Sequence, residues 1–316
     1  MEEAAGNSAR GSQFWSVNPQ GEAEELQNCR GGDSSLMVDR TPYFEAVNAS
    51  RYERQELVRQ YQDMTGANLI VIIDQIYPDR MTLLEDLLYD CHNDKDLHVL
   101  LSSPGGDGET ALRMARVLHE HSKELTIIVP DMAKSAATIL CLGADHILMG
   151  PAGDLGPIDP QMILSDRKGM SSAKEIVAAV DEAERRVNDN PNAFPLFASL
   201  LSDVNMLMVE SARNALNRSE ALMREALSAV TSRDAEMVDK LAKELKAPLI
   251  EDPSSHSADI SSDDALGFGL PIIKADTASP EWKLLWKLWT RFYVMHCFPA
   301  GTCAVYEGIR ASQVFS

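Results

Sequence analysis

Positive charge is scarce in this chain. Of 316 residues, 29 are Lys or Arg against 48 Asp or Glu, a formal net charge of −19, so it lacks the field that holds nucleic acid or an anionic membrane surface. Neither is expected as a partner. Cysteine is sparse as well: Cys29, Cys91, Cys141, Cys297 and Cys303 are odd in number and scattered, with neither the density of a disulfide scaffold nor the spacing of a zinc site. Reduced thiols, and no metal, follow. No segment approaches about 18 uninterrupted apolar residues, the length that spans a bilayer. The first residues carry Glu2 and Glu3 and no apolar leader, so the expectation is a cytoplasmic protein without membrane insertion. No internal repeat is visible.

What is present is a core-forming composition, 45% hydrophobic, enough for one sizeable domain with appendages. Residues 1–45 are rich in Gly, Ser, Asn, Glu and Gln and read as a disordered arm. Order is expected near Tyr52, with a helix over 51–66. Thereafter apolar runs alternate with helical patterns: strands at 68–74, 96–103, 125–130 and 145–150, and helices at 81–93, 108–122 and 135–144. That alternation predicts βαβ units, a largely parallel sheet and an α/β fold. After Pro160 the pattern turns helical, over 173–190 and 196–247, an insertion that crosses an interface or covers a site. A strand is expected at APLI (247–250), then a capped helix and a terminal strand within 260–273. The main domain is thus 46–275, and 276–316 is an aromatic-rich helix and tail. In it Trp282, Trp286, Trp289 and Phe292 recur at helical spacing, the pattern of a core or oligomer contact.

Two motifs bear chemistry. SSPGGDGETALRMA (102–115) is a strand end, a glycine turn and a helix start. The amides of Gly105 and Gly106 are unobstructed by side chains and suited to an oxyanion, although the pair also reads as a simple turn. AKSAATILCLGAD (133–145) sets Ser135 at the first turn of a helix, where unpaired amides favour developing negative charge. A cap serine is the other reading. The small neighbours Ala133, Ala136 and Ala137 tilt it toward a nucleophile that a peptide can approach, with the Ala136 amide as a second oxyanion donor.

The base is not fixed by the residues. Lys134 adjoins Ser135, but neighbouring helical side chains diverge, which aims it at solvent or a carboxylate. Lys168 and Lys174 lie downstream, and burial of either would release its proton near neutral pH. His92, His98, His119, His121 and His146 sit on core elements, whereas His256 lies in a loop able to return to the site. Asp154 and Asp159, in the turn DLGPIDPQM (154–162), read as turn formers, the other reading being to orient a base or bind a substrate amine.

SSPGGDGETALRMA, AKSAATILCLGAD and MGPAGDLGPIDPQ together resemble the serine dehydrogenase proteinase family, within the Clp-protease and crotonase-like fold that includes signal peptide peptidase A. The resemblance runs from about residue 50 to 295. It implies a spiral of ββα units, a cofactor-free serine peptidase acting on peptide or protein substrates, Ser135 as nucleophile, and oxyanion donors at Gly105 or Gly106 with Ala136. With no histidine in the segment after DLGPIDPQ, it implies a lysine base, and Lys174 is chosen over Lys168. A homo-oligomer is expected by analogy. The chain departs from the family at Gly153, where a hydroxyl residue is common. Two other functions remain open from sequence: a crotonase-like acyl-CoA enzyme using Asp107 or Glu109, and a silent oligomeric scaffold that binds peptides.

Overall fold

The computed structural model describes residues 40–163, 169–251 and 258–315. A first unit, residues 1–45, is described only from Arg40, so most of the expected arm, with Cys29, lies outside the described residues. The rest of the chain, Ala46–Ser316, forms the second unit.

The uninterrupted Ile, Leu and Val runs form strands covered on both faces, as parallel sheets require. These are β1 (Asn68–Ile73), β2 (Leu97–Ser102) and β3 (Leu125–Val129), continued by β5 (His146–Met149) and by β9 (Ile272–Lys274), where Ile273 and Lys274 are exposed; the five run parallel to one another. Two antiparallel strands, β10 (Ala304–Glu307) and β11 (Ser312–Phe315), extend the sheet beyond β1, in the order β11-β10-β1-β2-β3-β5-β9. Register places Leu69 beside His98 and Ile73 beside Ser102. Side chains alternate across the pleat. Ile70, Ile72, Val99, Leu101, Ile127 and Val129 face one core, and Leu69, Val71, Ile73, Leu100 and Ile128 face the other.

The first face is covered by α2 (Met81–Leu88), α3 (Gly108–Glu120), α4 (Ala136–Leu142), α7 (Met206–Ala229) and α8 (Ala235–Lys246). The second is covered by α1 (Pro42–Thr65) and α10 (Pro280–Val294), whose Trp282, Trp289 and Phe292 are buried against Leu57, Val58 and Tyr61. The aromatic stripe is therefore core, and only Trp286 remains largely outside it, at 47% exposure. Each buried aliphatic side chain contributes about 1.5–3 kcal/mol, which makes these two layers the main source of stability. A buried ion pair, Arg54 Nε to Glu307 Oε2 at 2.6 Å, ties α1 to β10.

Beside the sheet lie β4 (Met132–Ala133) paired with β6 (Asp154–Leu155), and the hairpin of β7 (Gln161–Ile163) with β8 (Met170–Ser172). The remaining helices are α5 (Ala173–Asp189), α6 (Phe194–Leu200) and α9 (Ser262–Gly267). The mixed α/β class and largely parallel sheet agree with the sequence reading, and three particulars are corrected. Helix α1 begins at Pro42, ten residues before Tyr52. APLI is not a strand: Ala247–Glu251 continues α8 as a wide helical turn, with Leu249 and Ile250 buried. A four-residue apolar run has no periodicity that separates strand from buried helix. The C-terminal tail is also not an appendage, because β10 and β11 complete the sheet.

Candidate active site

Strands β2 and β3 end side by side, and the segments after them are laced together. Ser103 N–H donates to Met132 O at 3.1 Å and Lys134 N–H to Ser103 O at 3.0 Å. This ladder delivers the glycine turn and Ser135 to the same point. Ser135 adopts φ 52° and ψ −119° immediately before α4, a conformation that non-glycine residues rarely hold. It makes no side-chain cap bond. The cap reading thus fails, and a strained turn between strand and helix presents the hydroxyl instead.

The glycine turn is shaped by contact on both sides. A Cβ on Gly105, at φ +103°, would lie 2.7 Å from both Lys134 O and Ser135 Cβ. One on Gly106, at φ +142°, would fall within 3.0 Å of the Ile76 backbone. Ile76 N–H donates to Gly105 O and Asp107 N–H to Ile76 O, each at 2.8 Å. In such a parallel bridge the intervening residue turns its own amide the other way, so Gly106 N–H faces away from Ile76. Gly105 N–H is already taken by Ser103 Oγ at 3.1 Å. Of the three amides named from sequence, those of Gly106 and Ala136 have no acceptor among the described residues, and both residues line one cavity with Ser135.

That cavity holds about 450 Å³. Its remaining walls come from Pro104 and the start of α3 (Asp107 to Glu109), from Ile139, from Ile158 to Gln161, from Met170 on β8, and from Ala215, Arg218, Ser219 and Leu222 on α7. The helical insertion therefore covers the site. Asp159 is buried there and accepts from Gln161 Nε2 at 3.0 Å. From sequence a place at the site stood second to a turn-forming role, because Asp before Pro is such a common turn former. The α7 wall had no signal beyond the helical pattern itself.

Lys134 points away from the hydroxyl, as its sequence position implied. Its ammonium lies 2.7 Å from Asp154 Oδ1, 2.7 Å from Asp259 Oδ1 and 3.2 Å from Leu155 O. Burial raises the Asp154 carboxyl to about 6, against the lowering effect of Lys134. Asp131, also facing Lys134, is raised by burial as well. Inside α4, Thr138 Oγ1 lies 2.8 Å from both Ala133 O and Gly156 O and accepts from Gly156 N at 3.1 Å.

The structure does not bring Lys174 into the Ser135 cavity. It lines a neighbouring groove with Leu216, Glu220, Lys246 and Glu251. Lys168 and His256 lie outside the described residues. None of the described histidines lines the cavity. His98 is on the opposite face, bonded to Tyr61 Oη at 2.7 Å, and burial lowers its pKa. Gly153 does not line the cavity either, and a Cβ added there would meet Val129 O at 2.5 Å. Asp107 and Glu109 also line the cavity, but their carboxylates are already engaged. Asp107 caps α3 through Thr110 N at 2.7 Å, and Glu109 pairs with Arg218 at 2.5 Å. A larger cavity of about 650 Å³ lies between Asn68, Asp90 and Arg310. The Cys91 thiol there is raised to about 11, chiefly by burial.

A strained serine at a strand-to-helix turn, sharing a cavity with two unengaged amides, is the architecture of a serine hydrolase. The ClpP-like SDH-type serine proteinase family matches residues 84–285, and the chain belongs to that family. An uncharacterized protein of Methanocaldococcus jannaschii is 30% identical over 188 residues, covering 60% of this chain and 56% of the relative. The Bacillus subtilis membrane protein NfeD1b is 33% identical over 107 residues, covering 32% of this chain and 23% of that protein. The chain thus spans about half or less of the curated relatives it matches. Among solved structures, a serine-to-alanine variant of a membrane-bound stomatin-specific protease aligns with TM-score 0.40 and 17% identity, over 66% of this chain and 78% of that one. A lysine-to-alanine variant of the same protease, in complex with a substrate peptide, gives TM-score 0.41 and 16% identity over 66% and 74%. No helix among the described residues is long and apolar enough to cross a membrane.

Proposed function

We propose that this protein is a serine peptidase in which Ser135 Oγ attacks a peptide carbonyl. The observation that carries this is the shared cavity of a strained Ser135 and the unengaged amides of Gly106 and Ala136. As the C–O bond forms, the carbonyl oxygen gains charge, which those two N–H groups stabilise without reorganising. The leaving amine takes the proton removed from Ser135, and water then hydrolyses the acyl-enzyme. Gly105 supports the turn instead of donating, since its amide is held by Ser103.

The general base in this proposal is Lys174. Its support is the place of its backbone. Ala173 N–H bonds Pro160 O at 2.9 Å, and Pro160 lines the Ser135 cavity. Proton removal requires the Lys174 side chain to swing from its groove into that cavity when substrate binds. A crotonase-like reaction is disfavoured by the cap and the ion pair that engage Asp107 and Glu109. Homo-oligomerisation belongs to the same proposal. Helix α6 buries none of its residues, and Phe194, Leu196 and Leu200 lie open on it, a patch suited to cover by a second copy. A cytoplasmic setting fits the four reduced thiols among the described residues.

A fluorophosphonate probe tests the chemistry directly. Wild type is expected to be labelled at Ser135 and Ser135→Ala to be unlabelled, with a peptide library cleaved only by the former. Equal labelling of both would leave the scaffold reading standing. Lys174→Ala is expected to slow labelling by about 100-fold or more, the usual weight of a general base. An unchanged rate would move that role to another residue. Light scattering and cell fractionation test assembly and location.

A further inference from the structure

Cys297 and Cys303 flank the turn that links α10 to β10, and they pair directly as an isolated parallel bridge. Residues paired in this way stand about 5 Å apart at Cα with side chains on a common face. A disulfide needs about 4.4–6.8 Å between Cα atoms. The turn is already closed by backbone bonds: Ala300 N–H to Cys297 O at 2.9 Å and Cys303 N–H to His296 O at 3.1 Å. Linking the two sulfurs therefore asks for little motion. Both are free thiols, Cys297 wholly buried and Cys303 partly so. The other described cysteines have no such partner position, Cys91 following α2 and Cys141 lying inside α4.

We infer that Cys297 and Cys303 form an oxidant-responsive dithiol, a modification site that closes to an intrachain disulfide under peroxide and reopens under thiol reductant. Cys303 is the outer thiol and meets the oxidant. Its thiolate attacks hydrogen peroxide, the O–O bond breaks, and Cys303 becomes a sulfenic acid as hydroxide leaves. Cys297 sulfur then displaces the sulfenic oxygen, which departs as water with the thiol proton. Two thiols and one peroxide thus give one disulfide and two waters. Burial and the neighbouring thiol push Cys297 up to about 12, so the first attack on the oxidant falls to the less buried Cys303.

The bond would brace a sensitive place. Within the enclosed turn, Phe298 O accepts from Ser102 Oγ at 3.5 Å. Ser102 ends β2, directly before the segment that carries Gly105 and Gly106. The staple therefore backs the glycine turn from the α10 side of the sheet. The inference does not depend on peptidase activity.

The full chain treated with hydrogen peroxide, alkylated with iodoacetamide and digested is expected to yield one peptide spanning both cysteines, lighter by two hydrogens and unalkylated. Dithiothreitol should restore two alkylation sites. The melting temperature should rise by about 5 °C on oxidation, as closing a short loop predicts. Cys303→Ser should abolish the mass change and the rise, and Cys303→Ala serves if the serine variant does not fold. Cys91→Ser should keep both responses. Independent alkylation of Cys297 and Cys303 after peroxide, a sulfinic acid on Cys303 beside an alkylated Cys297, or a disulfide that recruits another cysteine would each overturn the inference.

Discussion

Gly106→Ala separates an amide that binds the oxyanion from one that merely makes a turn. The new methyl group would lie within 3.0 Å of the Ile76 carbonyl oxygen, amide nitrogen and carbonyl carbon, at a backbone φ of +142°. Holding alanine there costs about 1–3 kcal/mol of backbone strain. Breaking the two bonds of the Ile76 bridge adds about 1 kcal/mol each. The turn relieves this by moving away from Ile76, which carries the Gly106 amide out of line with Ser135. Loss of one oxyanion donor costs about 3 kcal/mol, or roughly 100- to 1000-fold in rate. The assay is the second-order rate of fluorophosphonate labelling at Ser135, with a thermal melt to count folded protein. Ala136→Pro offers a second route, deleting the other amide hydrogen at the first position of α4, where proline is tolerated. Gly267→Ala, with nothing within 4 Å of its added methyl, is the neutral control. If both donor variants fold and label within threefold of wild type, the oxyanion assignment is wrong.

Three further outcomes follow from buried polar groups. Asp154 is raised to about 6, so the folded chain holds a proton that the unfolded chain has lost above its ordinary carboxyl pKa. This penalty is complete above pH 6 and fades as the pH falls toward 4. Asp154→Asn is expected to remove that component from a plot of melting temperature against pH, and an unchanged difference from wild type across this window would contradict it. Arg54→Met is expected to destabilise by about 3–5 kcal/mol, because Glu307 is left buried without its cation; a chemical denaturation midpoint equal to wild type would count against this. Thr138→Val keeps the shape of α4 but strips the partner from Gly156 N, costing about 1–3 kcal/mol and slowing Ser135 labelling. A variant as stable and as reactive as wild type would show that the α4 anchor is dispensable.

Much of this arrangement was legible because it is written in local pattern. Val, Ile and Leu runs spaced by helical segments gave β1, β2, β3 and β5, and small residues around Ser135 marked a turn kept clear for an approaching chain. What was not legible depends on partners distant in sequence. The two glycines look equivalent in the motif, yet a serine two residues before Gly105 occupies one amide while Ile76, thirty residues upstream, turns the other outward. Nothing in the spacing of Lys174 from Ser135 discloses that its side chain falls in a separate groove. The final strands were hidden for a related reason. AVYE (304–307) is too short and mixed to read as a strand, and it becomes one only because the edge of β1 is there to receive it.

The strain at Ser135 explains why so many polar contacts gather behind it. A residue in a sparsely populated conformation costs about 1–3 kcal/mol and persists only where its surroundings over-determine it. Three independent anchors do so here. The ladder through Ser103 fixes the approach from β2, Lys134 clamps the preceding residue onto β6 through Asp154 and Leu155, and Thr138 bonds the following helix to Ala133 and Gly156. The first is backbone alone, the other two use polar side chains that packing alone would not require, and each acts on backbone within three residues of the hydroxyl. A structural turn could relax into an ordinary serine cap at lower cost, because the cap would supply a hydrogen bond that Ser135 forgoes. The fold instead spends buried polar groups to keep that hydroxyl unbonded and facing the cavity, which is intelligible if the hydroxyl's work begins when a carbonyl arrives.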